Sequence, residues 1–181
     1  TKITKAVHLQ RPPLAEHQEG RAKIGLYPLV DRFNVQWGAI DIDTYPVNHE
    51  EIAKKLEKAK VDYSWITKST SGGCHIYFRY DEPVIAMLVR HELEAIAKKI
   101  GYGKSEIFPK QDQFQPEEKK DKPGSWTGMG NAIYLPYGKD NSCVMSTDGK
   151  TELTVDQFRE MAPTRYLDFS NKFSTIPNKT T

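Results

Sequence analysis

The pattern of hydrophobic and polar positions begins with two largely apolar stretches, 23–30 and 33–43, which are rich in β-branched and aromatic residues. This pattern predicts two strands. Apolar positions three and four apart then predict a helix over 48–60, with Ile52 and Leu56 on one face. Asn48 can cap this helix because its side chain can accept a hydrogen bond from a first-turn N–H group.

The segments 62–70 and 74–81 predict a β-hairpin, because glycines lie at the turn between two runs of strand character. The segment 82–100 predicts a second helix, with Pro83 near its start and Gly101 just past its end.

The remainder of the chain predicts short strands, a long loop and a last helix. They are a strand over 105–109, a Pro- and Lys-rich loop over 111–128, strands over 131–138 and 142–147, and a helix over 154–163. This order of elements predicts an α+β fold with largely antiparallel sheets and helices packed on their outer faces.

Composition narrows the class of protein. The 181 residues suffice for one domain, and 38% hydrophobic with 28% charged residues is typical of a soluble globular protein. No apolar run approaches the roughly 20 residues of a membrane-spanning helix. Two cysteines, Cys74 and Cys143, form no disulfide framework, so we expect a reducing, cytoplasmic setting. The net charge of +2 neither requires nor excludes a nucleic-acid partner.

Two carboxylates, Asp41 and Asp43, stand two residues apart in the apolar segment WGAIDIDTYP. Side chains at i and i+2 of a strand share a face, so the two project together while Ile40 and Ile42 point the other way. Like charges this close repel each other and lose hydration unless a cation neutralises them. The pair therefore predicts either a Mg²⁺ or Mn²⁺ site or, since D-x-D is a common pattern, a solvated strand end.

The serine- and glycine-rich turn in STSGGCHIYFR, residues 69–79, predicts an anion contact, because such turns present N–H groups and hydroxyls. By period two, His75, Tyr77 and Arg79 share one face of the following strand, where they can contact phosphate. An ordinary hairpin with a partly buried histidine and an exposed arginine explains the same pattern.

A third carboxylate, Glu106, lies on the short strand of SEIFPKQ, just before Pro109 and Lys110. Glu106 can complete a metal site with the two aspartates, which leaves Lys110 for a phosphate or a nucleic-acid backbone. An exposed strand residue is the simpler interpretation. The sequence has no Cys/His spacing typical of zinc and no G-x-x-x-x-G-K-[ST] phosphate loop.

The order of these motifs is more specific than any one of them. A strand ending in D-x-D, then S-G-x-x-H, then E-x-F-P-K-Q, then GNAIYLPYG resembles the archaeo-eukaryotic primase superfamily. Within it, the chain is similar to the primase-polymerases of phages, plasmids and related mobile or defence systems. The resemblance runs from about Lys23 to Gly138 and includes IGLYPL upstream of the acidic motif.

The resemblance implies roles for particular residues. Asp41, Asp43 and Glu106 match the acidic ligands of a two-metal site for Mg²⁺ or Mn²⁺. Ser71 and His75 match the motif that contacts the triphosphate of the incoming nucleotide, although three residues separate them here and fewer do in several relatives.

Further positions match less specific parts of the family pattern. Lys110 and Gln111 correspond to positions near phosphate or template, and Asn131 corresponds to the glycine–asparagine motif. Geometry alone adds Arg79 to the nucleotide-binding set and Lys68 to the template or primer contacts.

The resemblance also implies a fold and an activity. We expect an RRM-like catalytic core over 23–165, preceded by an arm over 1–22 and followed by a tail over 166–181 that leads to further domains. The implied reaction is template-dependent nucleotidyl transfer by a DNA primase or polymerase. Its partners are a single-stranded DNA template, a primer, NTP or dNTP, and a helicase or accessory priming domain, without a membrane. The loop over 111–128, with Phe114 and Trp126, is either a segment that closes over template or primer or a disordered surface loop.

Two alternatives stay open at this stage. A metal-dependent glycosyltransferase explains D-x-D but gives His75 and FPKQ no role. A non-catalytic RRM-like nucleic-acid-binding module needs no clustered carboxylates, which repel phosphates in the absence of a metal ion.

Overall fold

A computed structural model describes residues 14–139 and 141–161, which form four helices and nine strands. In chain order they are α1 (Leu14–Gln18), β1 (Gly25–Leu26), β2 (Asn34–Ile42), α2 (His49–Lys58), β3 (Trp65–Lys68), β4 (Cys74–Ile85), α3 (Ala86–Lys99), β5 (Glu106–Phe108), β6 (Glu117–Glu118), β7 (Trp126–Thr127), β8 (Ile133–Tyr134), β9 (Cys143–Val144) and α4 (Val155–Met161). This is the predicted α+β class, with antiparallel sheets and packed helices.

The centre of the fold is a five-stranded antiparallel sheet with the strand order β5-β2-β4-β3-β9. Strands β1 and β8 form a separate two-stranded ribbon, called the β1–β8 ribbon below, and β6 pairs with β7. Strands β2, β4 and β3 are each paired along both edges, whereas β5 and β9 are the edge strands.

The two faces of the sheet bury different side chains. One face carries the larger core, where α2 and α3 pack over the sheet. Gly38 allows α3 to come close, because a Cβ there would lie 2.7 Å from Leu93 Cδ1 and 2.9 Å from the Phe108 carbonyl oxygen. The opposite face carries a smaller cluster of buried residues, which consists of Ala39, Trp65, Tyr77, Phe108, Ile133 and Val144.

Helix α2 begins where the sequence predicts. The Asn48 side chain accepts a hydrogen bond from the Glu51 N–H at 3.0 Å, and Ile52 and Leu56 are fully buried. The cap satisfies a first-turn N–H that has no partner within the helix.

The predicted start of the second helix is wrong. Residues 82–85 belong to β4, and α3 begins only at Ala86. Val84 and Ile85 pair with β2, and an irregular register absorbs Pro83, which has no N–H to donate. A short apolar run is compatible with either a strand or a helix. Here the pairing with β2 makes residues 82–85 part of a strand.

Several predicted strands are shorter than their sequence patterns. Of 23–30 and 131–138, two residues each form strands, β1 and β8, and Leu29 adds only an isolated bridge to Val35. Pro28 and Pro136 flank these pairs, and a proline cannot donate to a ladder.

The predicted loop over 111–128 is anchored to the core. Phe114 is only 1% exposed, and its N–H donates to the Arg32 carbonyl oxygen at 2.7 Å. Trp126 also packs against the core. Phe114 is therefore not available for stacking on a template, which corrects the expectation for this loop.

The end of the predicted arm contains α1, whose His17 is buried. Residues 1–13 and the predicted tail over 166–181 lie outside the described residues, and the domain division stays a prediction. Cys74 and Cys143 are both free and buried, as expected without a disulfide framework. Nowhere in the two described ranges does a helix have the length and apolar character needed to cross a membrane.

Candidate active site

Strand register brings the predicted site residues to one face of the sheet. Asp41 on β2 lies directly opposite His75 on β4 and directly opposite Glu106 on β5. Thr67 on β3 extends the same row beyond His75. Directly opposite residues of antiparallel strands project to the same side, so the four side chains face the smaller cluster, away from α2 and α3.

Asp41 is the most confined of the carboxylates. Its side chain is 16% exposed, and His75 Nε2 lies 3.2 Å from Asp41 Oδ1. This contact is an ion pair only if His75 is protonated, and among the described residues the buried Asp41 Oδ1 accepts no hydrogen bond. A buried anionic oxygen in this situation is costly unless a cation compensates it, which makes Asp41 a suitable metal ligand.

Asp43 lies just past the end of β2 and is held by a residue that sequence reasoning missed. The Tyr45 hydroxyl donates to Asp43 Oδ1 at 2.8 Å and lies 2.7 Å from Ser71 Oγ. Ser71 Oγ is in turn 3.1 Å from Ser69 Oγ. The acidic motif and the serine turn are therefore joined through one phenol.

Gly73 allows the serine turn to lie against the acidic motif. A Cβ at this position would lie 2.5 Å from Asp43 Oδ1 and 3.0 Å from both the Ile42 carbonyl oxygen and Ser69 Oγ. His49, at the start of α2, donates from Nε2 to the Gly73 carbonyl oxygen at 3.1 Å. Burial lowers the pKa of His49, and its bond to Gly73 only partly opposes that shift.

A cleft of about 250 Å³ opens over this face of the sheet. The serine turn forms one rim, and the β1–β8 ribbon and the residues after it form the other. Its lining consists of Lys23, Asp41, Asp43, Thr67, Ser69, Thr70, Ser71, His75, Phe108, Ala132, Ile133, Tyr134, Pro136 and Ser142. The cleft thus brings the two aspartates, the histidine and a row of hydroxyls together.

Glu106 has the predicted register but is engaged elsewhere. Its side chain is 60% exposed, and its Oε2 accepts from Lys110 Nζ at 2.7 Å. Glu106 and Lys110 belong to the lining of a neighbouring hollow and not to that of the cleft. Among the described residues, no three His, Cys, Asp or Glu side chains lie close enough together to hold a metal ion. The cleft itself supplies two carboxylates.

Arg79 and Lys68 do not line the cleft. Arg79 shares the face of His75 but lies opposite Trp37, and its guanidinium is 5.5 Å from the centre of the Trp65 ring. Burial lowers the pKa of Arg79. Lys68 Nζ is paired with Glu152 Oε1 at 2.6 Å.

Gln111 and Asn131, both predicted near template, lie together. Gln111 Nε2 donates to Asn131 Oδ1 at 3.1 Å, and the buried Gln111 Oε1 accepts no hydrogen bond from the part of the chain that the structure describes. Gly130, whose φ is +80°, precedes Asn131, and a Cβ on it would lie 2.7 Å from Gln111 Oε1. The glycine of the G-N motif therefore makes room for the Gln111 amide.

Burial disfavours the ionised form of two further titratable groups near the aspartates. Burial raises the pKa of the Tyr77 phenol and of the Cys74 thiol, and the charge of Asp41 adds to both shifts. Neither group ionises near neutral pH, so the phenol and the thiol stay neutral beside Asp41.

Sequence reasoning missed Lys23, Tyr45 and Tyr134 as members of the site. The only signal for Tyr45 is its place two residues after Asp43, which gives its hydroxyl a local reach. Lys23 and Tyr134 meet through the pairing of β1 with β8, more than a hundred positions apart in sequence, and local patterns contain no signal for it.

A known family model matches most of the chain. A family model described as the archaeo-eukaryotic primase domain of the TOTE conflict system matches residues 2–170. No curated protein matches the chain. The match covers the sheet, the serine turn and the β1–β8 ribbon, and it confirms the superfamily that the order of motifs indicated.

Proposed function

The chain belongs to the family of the archaeo-eukaryotic primase domain of TOTE conflict systems, a primase-type nucleotidyltransferase family, and from this premise we propose a specific activity. The protein joins nucleotides on a single-stranded DNA template as a primase or DNA polymerase, with Mg²⁺ or Mn²⁺ as the cofactor. The observation that carries the proposal is the row of Asp41, His75 and Glu106 across three adjacent strands, with Asp43 and Ser71 at the cleft rim.

The donor set is suited to a hard divalent cation. Asp41 and Asp43 offer carboxylate oxygens, and the buried Asp41 Oδ1 has no hydrogen-bond donor. Glu106 would become a third ligand if its carboxylate released Lys110 and bound the metal ion. A cation bound there neutralises charge on the reacting phosphate and makes the attacking hydroxyl more acidic.

The remaining residues of the cleft bind and orient the nucleotide. His75 Nε2 faces Asp41 Oδ1, so it is placed to donate to a phosphate oxygen next to the acidic site. Ser69, Thr70 and Ser71 present hydroxyls along the same rim. Fixed positioning and charge neutralisation account for most of the rate in phosphoryl transfer, so these contacts are the protein's main contribution.

The test is a template-dependent synthesis assay with labelled nucleotides and Mg²⁺ or Mn²⁺, with and without a primer. We expect product from the wild type and none from Asp41→Asn combined with Asp43→Asn, with an unchanged fold. Asp62→Asn is the matched control, because Asp62 is an exposed aspartate outside the cleft. Run with ribo- and deoxynucleotides in turn, the assay also determines which are preferred.

Other outcomes are equally informative. Unchanged synthesis in the double variant refutes the metal role of the two aspartates. If the protein binds single-stranded DNA but makes no product under any condition, the non-catalytic nucleic-acid-binding module is favoured. That outcome would fit the finding that no three potential metal ligands lie close together among the described residues. Transfer that needs no template favours a glycosyltransferase.

A further inference from the structure

The contacts of the predicted phosphate-binding residues raise a question about charge. A nucleoside triphosphate brings several negative charges into a cleft that already contains Asp41 and Asp43. Arg79 and Lys110 were predicted to contact the nucleotide, but neither lines the cleft, and Lys110 is paired with Glu106. Charge complementarity therefore favours a different positive side chain close to the phosphates, in addition to a bound metal ion.

Among the described residues that line the cleft, Lys23 is the one lysine or arginine. It lies just before β1, on the rim opposite the serine turn, and its side chain is exposed. We propose that Lys23 is the cation that binds the phosphates of the incoming nucleotide, a proposal that rests on the nucleotidyltransferase function above. Lys23 would then contact the β- and γ-phosphates, which a monophosphate lacks.

Tyr134 fixes the position of the Lys23 ammonium. Lys23 Nζ lies 4.0 Å from the centre of the Tyr134 ring, a distance at which a cation is attracted to the ring face. The Tyr134 ring is 55% exposed and also lines the cleft. Because the ring holds the flexible lysine near the cleft before the nucleotide arrives, less side-chain entropy is lost on binding.

The β1–β8 ribbon provides a fixed base for this pair. Gly25 lies opposite Tyr134, and a Cβ on Gly25 would come within 3.5 Å of Tyr134 Cδ1, so the ring rests against bare backbone. On the other side of β8, Ile133 is buried in the smaller cluster of the sheet. The ribbon therefore positions Lys23 and Tyr134 relative to Asp41 and His75.

Direct nucleotide binding tests the proposal without turnover. The probes are a fluorescently labelled deoxynucleoside triphosphate and the matching monophosphate, titrated by polarisation in the presence of Ca²⁺. We expect Lys23→Met to weaken triphosphate binding about tenfold or more, since charge-assisted hydrogen bonds are strong, and to change monophosphate binding much less. Lys23→Arg should retain most of the affinity because it keeps the charge.

Two comparisons isolate the role of each residue. Lys139→Met is the matched control, an exposed lysine whose N–H is bound to the Ala22 carbonyl oxygen but whose side chain does not line the cleft, and it should bind like the wild type. Tyr134→Phe keeps the ring and should retain affinity, whereas Tyr134→Leu should give an intermediate loss.

The proposal fails if wild type and Lys23→Met bind the triphosphate equally well. If Lys23→Met weakens triphosphate and monophosphate binding to the same extent, Lys23 contacts a group that both nucleotides share, and the proposed contact with the β- and γ-phosphates is wrong. If the wild type binds no triphosphate at all, the proposed nucleotidyltransferase function itself is wrong, and the two failures are thereby distinguished.

Discussion

The two sides of the cleft are built very differently. The sheet side rests on β2, which is hydrogen-bonded along both edges, so that backbone register sets the positions of Asp41 and His75. The ribbon side, with Lys23 and Tyr134, rests on two residue pairs between β1 and β8. Local stability follows the number of buried contacts and protected hydrogen bonds, so the sheet side is the more rigid one.

This difference matches the tasks that the two sides would have. Groups that hold a metal ion need fixed geometry, because small displacements of reacting groups reduce rates strongly. Groups that only neutralise phosphate charge tolerate more movement, and a lysine ammonium needs no fixed orientation. The comparison predicts that changes on the sheet side abolish chemistry, whereas changes on the ribbon side weaken nucleotide binding.

The largest loss of synthesis should come from a change at Gly73, where the serine turn lies against Asp43 on the sheet side of the cleft. We expect Gly73→Ala to displace the Asp43 carboxylate, because the new Cβ would lie 2.5 Å from Asp43 Oδ1. Synthesis should fall by about a hundredfold, the scale of a displacement of about 1 Å at a reacting group. Primer extension measures this loss, and triphosphate binding should change less.

The neighbouring glycine supplies the control. Gly72 has a φ of +86° but no atom within 4 Å of its would-be Cβ. Gly72→Ala should therefore cost about 1 kcal/mol of folding stability through backbone strain and leave the Asp43 carboxylate in place. Equal losses of synthesis in both variants would mean that turn conformation, and not the contact with Asp43, controls activity.

How far the sequence predicts the molecule follows the same division. The period of two predicts that Asp41 and Ile40 point to opposite faces of β2, because alternation in a strand determines which face a side chain occupies. The sequence motifs also place His75 on a strand, and that strand, β4, pairs with β2. The ion pair of Glu106 with Lys110 depends on the turn after β5, and no periodic pattern encodes it.

Long-range contacts explain most of the remaining errors. The burial of Phe114 depends on a hydrogen bond to Arg32, about eighty residues earlier in the chain. The start of α3 depends on the pairing of Val84 with Val35 across the sheet. Lys23 and Tyr134 likewise meet only in the folded chain. A local pattern predicts the type of an element and the face of a residue, but not its partner.

A smaller effect should follow from loosening the ribbon side. His17 is 1% exposed, its Nε2 donates to the Pro136 carbonyl oxygen at 2.8 Å, and its Nδ1 accepts from the Ile24 N–H at 3.1 Å. His17→Leu leaves both backbone groups without this partner, so we expect a loss of about 1–3 kcal/mol in the free energy of unfolding.

Hydrogen exchange locates this loss. The Leu135 amide, which donates to the Ile24 carbonyl oxygen, should exchange faster in His17→Leu, while amides of β2 and β4 should stay protected. His91→Leu, at an exposed position on α3, should leave both regions unchanged. If the amides of β2 and β4 lose as much protection from exchange as those of the ribbon, the two sides of the cleft unfold as one cooperative unit. The proposed difference in rigidity between the two sides is then wrong.

The smallest effect is a dependence of the sheet side on pH through His49. Burial lowers the pKa of His49 below its ordinary value of 6.5, so the unfolded chain binds this proton more readily than the folded one does. Stability from the neutral ring is complete above about pH 6.5 and declines as the pH falls toward the folded pKa. Because His49 is only half-buried, the change should stay below about 1 kcal/mol. The measurement is the urea midpoint of unfolding of the wild type and of His49→Gln at pH 7.5 and pH 5. The difference between the two proteins should be larger at pH 7.5. An equal difference at both pH values would mean that His49 does not cause the pH dependence of stability.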